Sequence, residues 1–244
     1  MGWREPWREG GKAKPMRELE DILATLRSLA RPDQLSGMAR FGINTETALG
    51  VRIPELRAIA KKTGRRHRLA LALWDTGIHD ARILAGMVAE PDVLTEAEME
   101  AWVGGFNSWD LCDQVCSNLF DKSPRAWDKA VEWSGREEEF VRRAGFTLMA
   151  CLAVHDKKAG DAAFLALLPV IEGGAEDPRN YVRKAVNWAL RGIGKRNRAL
   201  NGAAVVVAEG LRASGSRSAR WVGSDAFREL TSDKVLARLA RLAG

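Results

Sequence analysis

A chain of 244 residues with 46% apolar content can bury a substantial core and has room for one or two domains, which excludes a largely disordered protein. Three cysteines exclude a disulfide-stapled scaffold, no apolar run approaches the roughly 20 residues of a membrane span, and the N-terminal MGWREPWREGGKAKP lacks a secretory apolar core. On those grounds the chain is expected to be soluble and intracellular, and lysine plus arginine exceed aspartate plus glutamate by 38 to 32, giving a net charge of +6, a basic balance that points to a polyanionic partner.

Residues 1–15 read as a flexible tail and 16–244 as one helical domain. Apolar residues recur at helical spacing, as in Leu19, Ile22, Leu23, Leu26 and Leu29, and strand-like alternation and hairpin signals are absent. The pattern predicts helices over Met16–Ala30, Pro32–Arg40, Pro54–Lys62, Arg66–Trp74, Ile78–Ala89, Glu96–Gly104 and Ser108–Phe120. It continues with Pro124–Trp133, Glu137–Val154, Asp161–Ile171, Pro178–Ile193, Arg198–Arg212, Arg217–Leu230 and Asp233–Leu242. Start signals mark many of them. Thr95 with Glu98 forms a capping box, Ser123-Pro124 and Asp177-Pro178 place a cap before a first-turn proline, and Ser232 precedes the last helix. Short helices in pairs with tight loops suggest a helical-repeat array with a concave face, against the alternative of a compact all-α globule.

Several chemical motifs fail. Gly192-Ile193-Gly194-Lys195 lacks the preceding strand and the spacing of a phosphate loop and reads as a helix C-terminus. The histidines and cysteines are scattered. Cys112 and Cys116 are one turn apart, but a structural zinc needs four ligands, so they read as core residues and no metal is expected.

Two constellations stand out. In Asn107–Cys116, Ser108 could cap a helix that puts Trp109 and Asp113 on one face, with Leu111, Val115 and Leu119 on another. An aromatic plate beside a carboxylate suits an electron-poor ring or an oxocarbenium-like sugar. The competing reading packs Trp109 inward and gives Asp110 and Asp113 to the helix dipole. In Tyr181–Arg191 and just beyond, Lys184, Trp188, Arg191 and Lys195 share one face. Cations around an indole suit phosphates and bases, while a Trp buried between repeats is the plainer alternative. Arg220-Trp221 repeats the theme. Between Pro178 and Ser224 there are ten basic residues and one acid, Glu209, so one end of the molecule is expected to be strongly positive.

At these residues the chain resembles the AlkD-like DNA alkylation repair glycosylases, built from HEAT-like repeats. The resemblance runs from Met38 to Leu230, through Met38–Ile43, Leu49–Arg57, Trp109–Asp113, Val182–Arg191 and Arg220–Val222. It implies an all-α HEAT-like solenoid with a concave basic face. It implies excision of cationic N3- and N7-alkylpurines from duplex DNA, without cofactor, by a cytoplasmic, nucleoid-associated monomer. It carries the catalytic carboxylate to Asp113, the aromatic cradle to Trp109 and Trp188, and a backbone-contacting cation to Arg191. A further phosphate contact falls on Arg142 or Arg143. Lys184, Lys195, Arg220 and Phe41 complete the expected DNA surface, and Phe41 stands where a tyrosine is expected in active members. Two other classes remain: a non-catalytic repeat protein that binds damaged or branched DNA, against which a carboxylate facing phosphate argues, and a protein–protein scaffold.

Overall fold

The computed structural model describes residues 13–242, which contain fourteen α-helices and no strand. Expected residues 1–12 of the tail lie outside them. The first helix, α1, begins at Ala13, three residues before the predicted start. The helices divide into two compact units, one ending at Leu94 and the other starting at Thr95.

The first unit holds α1 (Ala13–Ser28), α2 (Pro32–Arg40), α3 (Ile53–Thr63), α4 (His67–Asp75) and α5 (His79–Val88). Helix α5 packs on α3 and α4, and α1 packs on α4 and α5. The Leu49–Arg57 segment is tied down from both sides. The buried Asp80 carboxylate accepts the amides of Leu49 and Val51 at 2.6 and 2.7 Å. Gly50 has φ +77°, and a Cβ there would meet the Arg31 carbonyl oxygen at 2.7 Å. Arg31 in turn forms a two-pronged pair with Glu55, at 2.6 and 2.8 Å. This segment of the motif therefore has a structural reason: it requires glycine at one position and a carboxylate at another.

The second unit holds α6 (Glu96–Gly104), α7 (Trp109–Asn118), α8 (Ala126–Ser134), α9 (Glu139–His155), α10 (Asp161–Gly174), α11 (Asn180–Gly194), α12 (Arg198–Arg212), α13 (Arg217–Leu230) and α14 (Asp233–Leu242). Helices α7, α9, α11 and α13 pack side by side in sequence, with α8, α10 and α12 against them as a second layer. Paired cross-links with a constant offset show that α7 runs parallel to α9, and α11 to α13. Cys112 and Cys116 donate to the carbonyls of Phe140 and Ala144, 28 residues on. Three further links, Arg143 to Tyr181, Asn187 to Asp225 and Arg191 to Glu229, each span 38 residues. That recurrence is the repeat expected from helix rhythm.

The layers approach closely. A Cβ on Gly145 would sit 2.3 Å from the Ser134 amide nitrogen, and one on Gly223 would sit 2.6 Å from the Ala208 carbonyl oxygen. Gly194 ends α11 against Leu230, as the helix-terminus reading of Gly192–Lys195 expects.

Side-chain caps mark the starts of α6 (Thr95), α12 (Asn197), α13 (Ser216) and α14 (Ser232). Thr95 and Glu98 close the capping box, with Glu98 N–H to Thr95 Oγ1 at 3.2 Å and Thr95 N–H to Glu98 at 2.8 Å. Two starts fall later than predicted. Ser123 and Asp177 accept the amides of Arg125 and Arg179, two residues on, so Pro124 and Pro178 belong to turns, and α8 and α11 begin at Ala126 and Asn180. Phe120–Lys122 forms a 3₁₀ turn rather than the end of α7. All three cysteines are buried and unlinked.

Candidate nucleic-acid interface

Helix α7 carries Trp109 and Asp113 one turn apart, both half-buried, while Leu111, Val115 and Leu119 are buried behind them. Ser108 occupies the N-cap position, but its hydroxyl donates to Asp110 Oδ1 at 2.6 Å instead of accepting a backbone amide.

Asp113 is paired, which spacing alone does not reveal. Arg143, on the first turns of α9, donates from Nε to Oδ1 at 3.0 Å and from Nη2 to Oδ2 at 2.8 Å. Thr147, one turn further on, donates to Oδ1 at 3.2 Å. Arg143 also donates from Nη1 to the Tyr181 carbonyl of α11, and the Tyr181 ring stacks on Phe140 at 5.7 Å. The Asp113 side chain keeps 18% of its surface accessible and that of Arg143 only 6%. Burial pushes the Asp113 carboxyl above its ordinary value, although the Arg143 charge and the hydrogen bonds from Arg143 and Thr147 pull the other way.

This geometry separates the two candidate arginines. Arg143 is turned in to the carboxylate, so it is not presented to solvent as a phosphate contact would be. Arg142 is half-buried, its Nε lies 3.5 Å from Asp177, and that nitrogen has no hydrogen-bond partner.

On α11, Lys184 is exposed and Trp188, Arg191 and Lys195 are half-buried, while Val182, Val186, Ala189, Leu190 and Ile193 are fully buried. The one-face placement read from spacing is what packing produces. The expected uniform positive charge is not. Two acids just past Ser224 reach back from α13. Glu229 pairs with Arg191 and with Lys195 (2.6 Å), and Asp225 lies 3.5 Å from Arg191 and accepts from Asn187 at 2.7 Å. Burial raises the Glu229 carboxyl, but Lys195 and Arg191 outweigh it and hold the group below its usual range. Lys184 has no acidic partner among the described residues.

Arg220 is exposed and donates to the carbonyls of Ser214 and Gly215. Beside it, the Arg183 guanidinium lies 4.6 Å over the Trp221 ring, which is 38% exposed. Phe41 belongs to the first unit, at the end of α2, and is 76% exposed. The structure therefore gathers Trp109, Asp113 and Arg143 at one place, and Lys184, Trp188, Arg191 and Lys195 in a row on α11.

Sequence reasoning missed Thr147, and also Asp225 and Glu229, which lie just outside the charge window. The 38-residue spacing from Asn187 and Arg191 is the signal that would have found the two acids. No group of three metal-ligating side chains occurs among the described residues, and none of the described helices is long and apolar enough to cross a membrane.

Comparison with known proteins bears on the fold and the family. The family model described as "DNA alkylation repair enzyme" matches residues 22–230. A solved structure described as "A new family of proteins related to the HEAT-like repeat DNA glycosylases with affinity for branched DNA structures" superposes with a TM-score of 0.72 at 20% identity, covering 86% of this chain and 94% of that one. None of the curated proteins searched matches the chain. The fold is thus all-α and HEAT-like, and with the family model spanning residues 22–230 the chain belongs to the DNA alkylation repair enzyme family.

Proposed function

We propose that this protein is a DNA glycosylase that releases cationic N3- and N7-alkylpurines from duplex DNA, with Asp113 as its catalytic carboxylate. The observation that carries the reading is the partly accessible Asp113, fixed by Arg143 and Thr147 on the same helix face as Trp109. Alkylation at N3 or N7 already gives the purine a positive charge, so the base departs with the bonding electrons and needs no general acid. What remains is to stabilise the oxocarbenium-like sugar and to direct a water onto it. A carboxylate offers about four acceptor positions. Arg143 Nε and Thr147 occupy Oδ1, whereas Oδ2 takes only Arg143 Nη2 among the described contacts, so Oδ2 is the oxygen that faces the sugar and its water. Arg143 is a positioning residue. Trp109 and Trp188 flank the deoxyribose, and Lys184, Arg142 and Arg220 contact phosphates, with Arg191 and Lys195 contributing what Glu229 leaves them. The chain binds alkylated duplex DNA as a monomer and uses no cofactor.

A charge-driven reaction divides substrates by lesion charge. Single-turnover assays on duplexes with one lesion each should show release of 7-methylguanine and 3-methyladenine, and no release of the neutral 1,N6-ethenoadenine or hypoxanthine. Efficient release of a neutral base would require a general acid and overturn the mechanism.

Binding without excision is the second reading, and one observation favours it. Arg143 neutralises Asp113, so the carboxylate does not repel phosphate as an isolated one would, and its presence no longer argues against a pure DNA-binding role. Branched-DNA affinity together with inertness toward every cationic lesion would support that reading.

A further inference from the structure

One buried charge lies outside the proposed mechanism. The 3₁₀ turn after α7 carries Asp121, which pairs with the end of α9 and has no accessible side-chain surface. Both of its oxygens are taken. Oδ1 accepts Lys122 Nζ at 2.8 Å, and Oδ2 pairs with His155 Nδ1. Lys122 also donates to the Ser117 carbonyl at 2.5 Å. A buried carboxylate is tolerated only when it is paired, so Asp121 fixes both partners. Each keeps nearly half of its side chain exposed, 41% for Lys122 and 47% for His155. With Nδ1 held by Asp121, Nε2 is the nitrogen that His155 offers to solvent.

The charge of this cluster is set by one group. Lys122 and Asp121 cancel, so the cluster is neutral with a neutral imidazole and carries one positive charge with an imidazolium. Only the imidazolium donates from both nitrogens, one to Asp121 and one outward. A neutral imidazole would turn a lone pair to an arriving anion instead. Asp156 follows His155 in the chain and is already engaged, accepting from Trp127 of α8 and from the amides of Lys158 and Ala159. Burial raises its carboxyl, but those hydrogen bonds outweigh the effect and keep it ionised. Lys157 and Lys158 come next, both exposed and without an ion pair among the described residues. Burial pushes the Cys151 thiol, one turn back on α9, well up, so it stays neutral. Past Asp113, α7 carries no charged side chain, and α8 turns Lys129 to Glu96, Glu100 and Glu132. The surroundings therefore leave the imidazolium charge uncancelled.

The cluster shares no residue with the contacts around Asp113 or along α11. His155 lies twelve residues beyond Arg143 on α9, about 18 Å at 1.5 Å per residue. At about 3.4 Å per phosphate of one strand, that is roughly five nucleotides.

We propose that His155 and Lys122 form a protonation-linked phosphate site, in which the imidazolium Nε2 and the Lys122 ammonium hold one backbone phosphate of the bound duplex, away from the reacting sugar. The buried Asp121 pre-orders both donors, and binding of the phosphate takes up a proton. The inference rests on DNA being the ligand of this family and does not require that the chain excise anything.

The test uses the full chain and a lesion-free duplex of two helical turns, with binding followed by anisotropy at constant ionic strength. Between pH 8 and pH 6 the wild type should gain about fivefold more affinity than His155→Gln, the effect of a well-placed exposed ion pair. Glutamine can still donate to Asp121 but never gains a charge. At pH 6 the wild-type salt dependence should be steeper by about 0.9 log units per log unit of salt, one phosphate contact, and at pH 8 the two should coincide. Lys122→Gln, which keeps a donor for Asp121, should flatten the slope by about 0.9 at both pH values. Release of 7-methylguanine by saturating His155→Gln should match the wild type. Calorimetry of the wild type in buffers of different ionisation enthalpy needs no variant and should show proton uptake on duplex binding near neutrality. Equal pH dependence in the wild type and His155→Gln would overturn the proposal, as would binding without proton uptake. Inorganic phosphate, exchanged for chloride at equal ionic strength, should leave the pH effect in place. Its loss at millimolar phosphate would give the site to a free phosphate and overturn the assignment to DNA. The binding readouts need no catalysis, so failure of the excision reading leaves this test intact.

Discussion

In the proposed mechanism Asp113 is the residue on which the chemistry turns, and its neighbours bias its protonation. Burial raises the carboxyl while Arg143 and Thr147 oppose it, and the net direction is upward. The proposed reaction needs the ionised form, so activity should be lost as pH falls through the raised value. The acid limb of the excision rate should therefore have its midpoint above the ordinary aspartate value of about 3.9. Arg143→Met removes the main opposing charge and should move that limb to higher pH. It should also cost about 3–5 kcal/mol of stability, because it leaves a buried carboxylate unpaired. A pH–rate profile with parallel denaturant titrations checks both, and a limb that stays put would mean that Arg143 does not tune the carboxylate. Trp109 and Asp113 were legible from their one-turn spacing. The role of Arg143 was not, since a cation 30 residues away can face inward or outward, and only the packing of α9 on α7 turns it in.

At the scale of the element, α13 tempers the basic helix α11. Glu229 holds Arg191 and Lys195, so Glu229→Gln should release two cations toward phosphate. Duplex binding should tighten, and its salt dependence should steepen by up to about 1.8 log units per log unit of salt, at about 0.9 per new contact. Binding curves identical to the wild type would place this helix pair away from DNA. Close helix approach gives a second expectation. Gly145→Ala forces a Cβ against the Ser134 backbone, which cannot swing aside like a side chain, so α8 and α9 must separate. Overpacking of this kind costs about 1–3 kcal/mol, and a thermal midpoint equal to the wild type would show that the layers yield freely. Helix existence and the solvent face of α11 followed from periodicity. The starts at Ala126 and Asn180 did not, because Ser123 and Asp177 can cap a helix or close a turn, and tertiary packing beyond each proline selects the turn.

At the scale of the molecule, the repeat was legible from helix rhythm and the five ordered motif segments. The division after Leu94 was not, since no Pro/Gly-rich linker marks it and a capping box at Thr95 begins the next helix directly. The first unit carries its own pH dependence. The hydrogen-bonded Arg31 holds the Glu55 carboxyl down at about 2, against 4.5 ordinarily. A depressed carboxylate stabilises the fold fully above about pH 4.5, and that contribution is lost as pH falls toward 2. Arg31→Met should therefore lower stability at neutral pH and flatten its decline on acidification, which urea midpoints taken between neutrality and pH 3 would read. A parallel decline in wild type and variant would place the acid sensitivity elsewhere.

The central claim is that Asp113 supplies the charge that stabilises the oxocarbenium-like sugar as the base departs. The most direct measurement is single-turnover release of 7-methylguanine from a duplex by the wild type and by Asp113→Asn, with duplex affinity measured on the same preparations. Asparagine keeps the shape and loses the charge. Release should fall by about 10²–10³, the effect of about 3–4 kcal/mol at one electrostatic group. Duplex affinity should hold or increase, because Arg143 is then left with unbalanced positive charge. Release by Asp113→Asn at the wild-type rate would contradict the account.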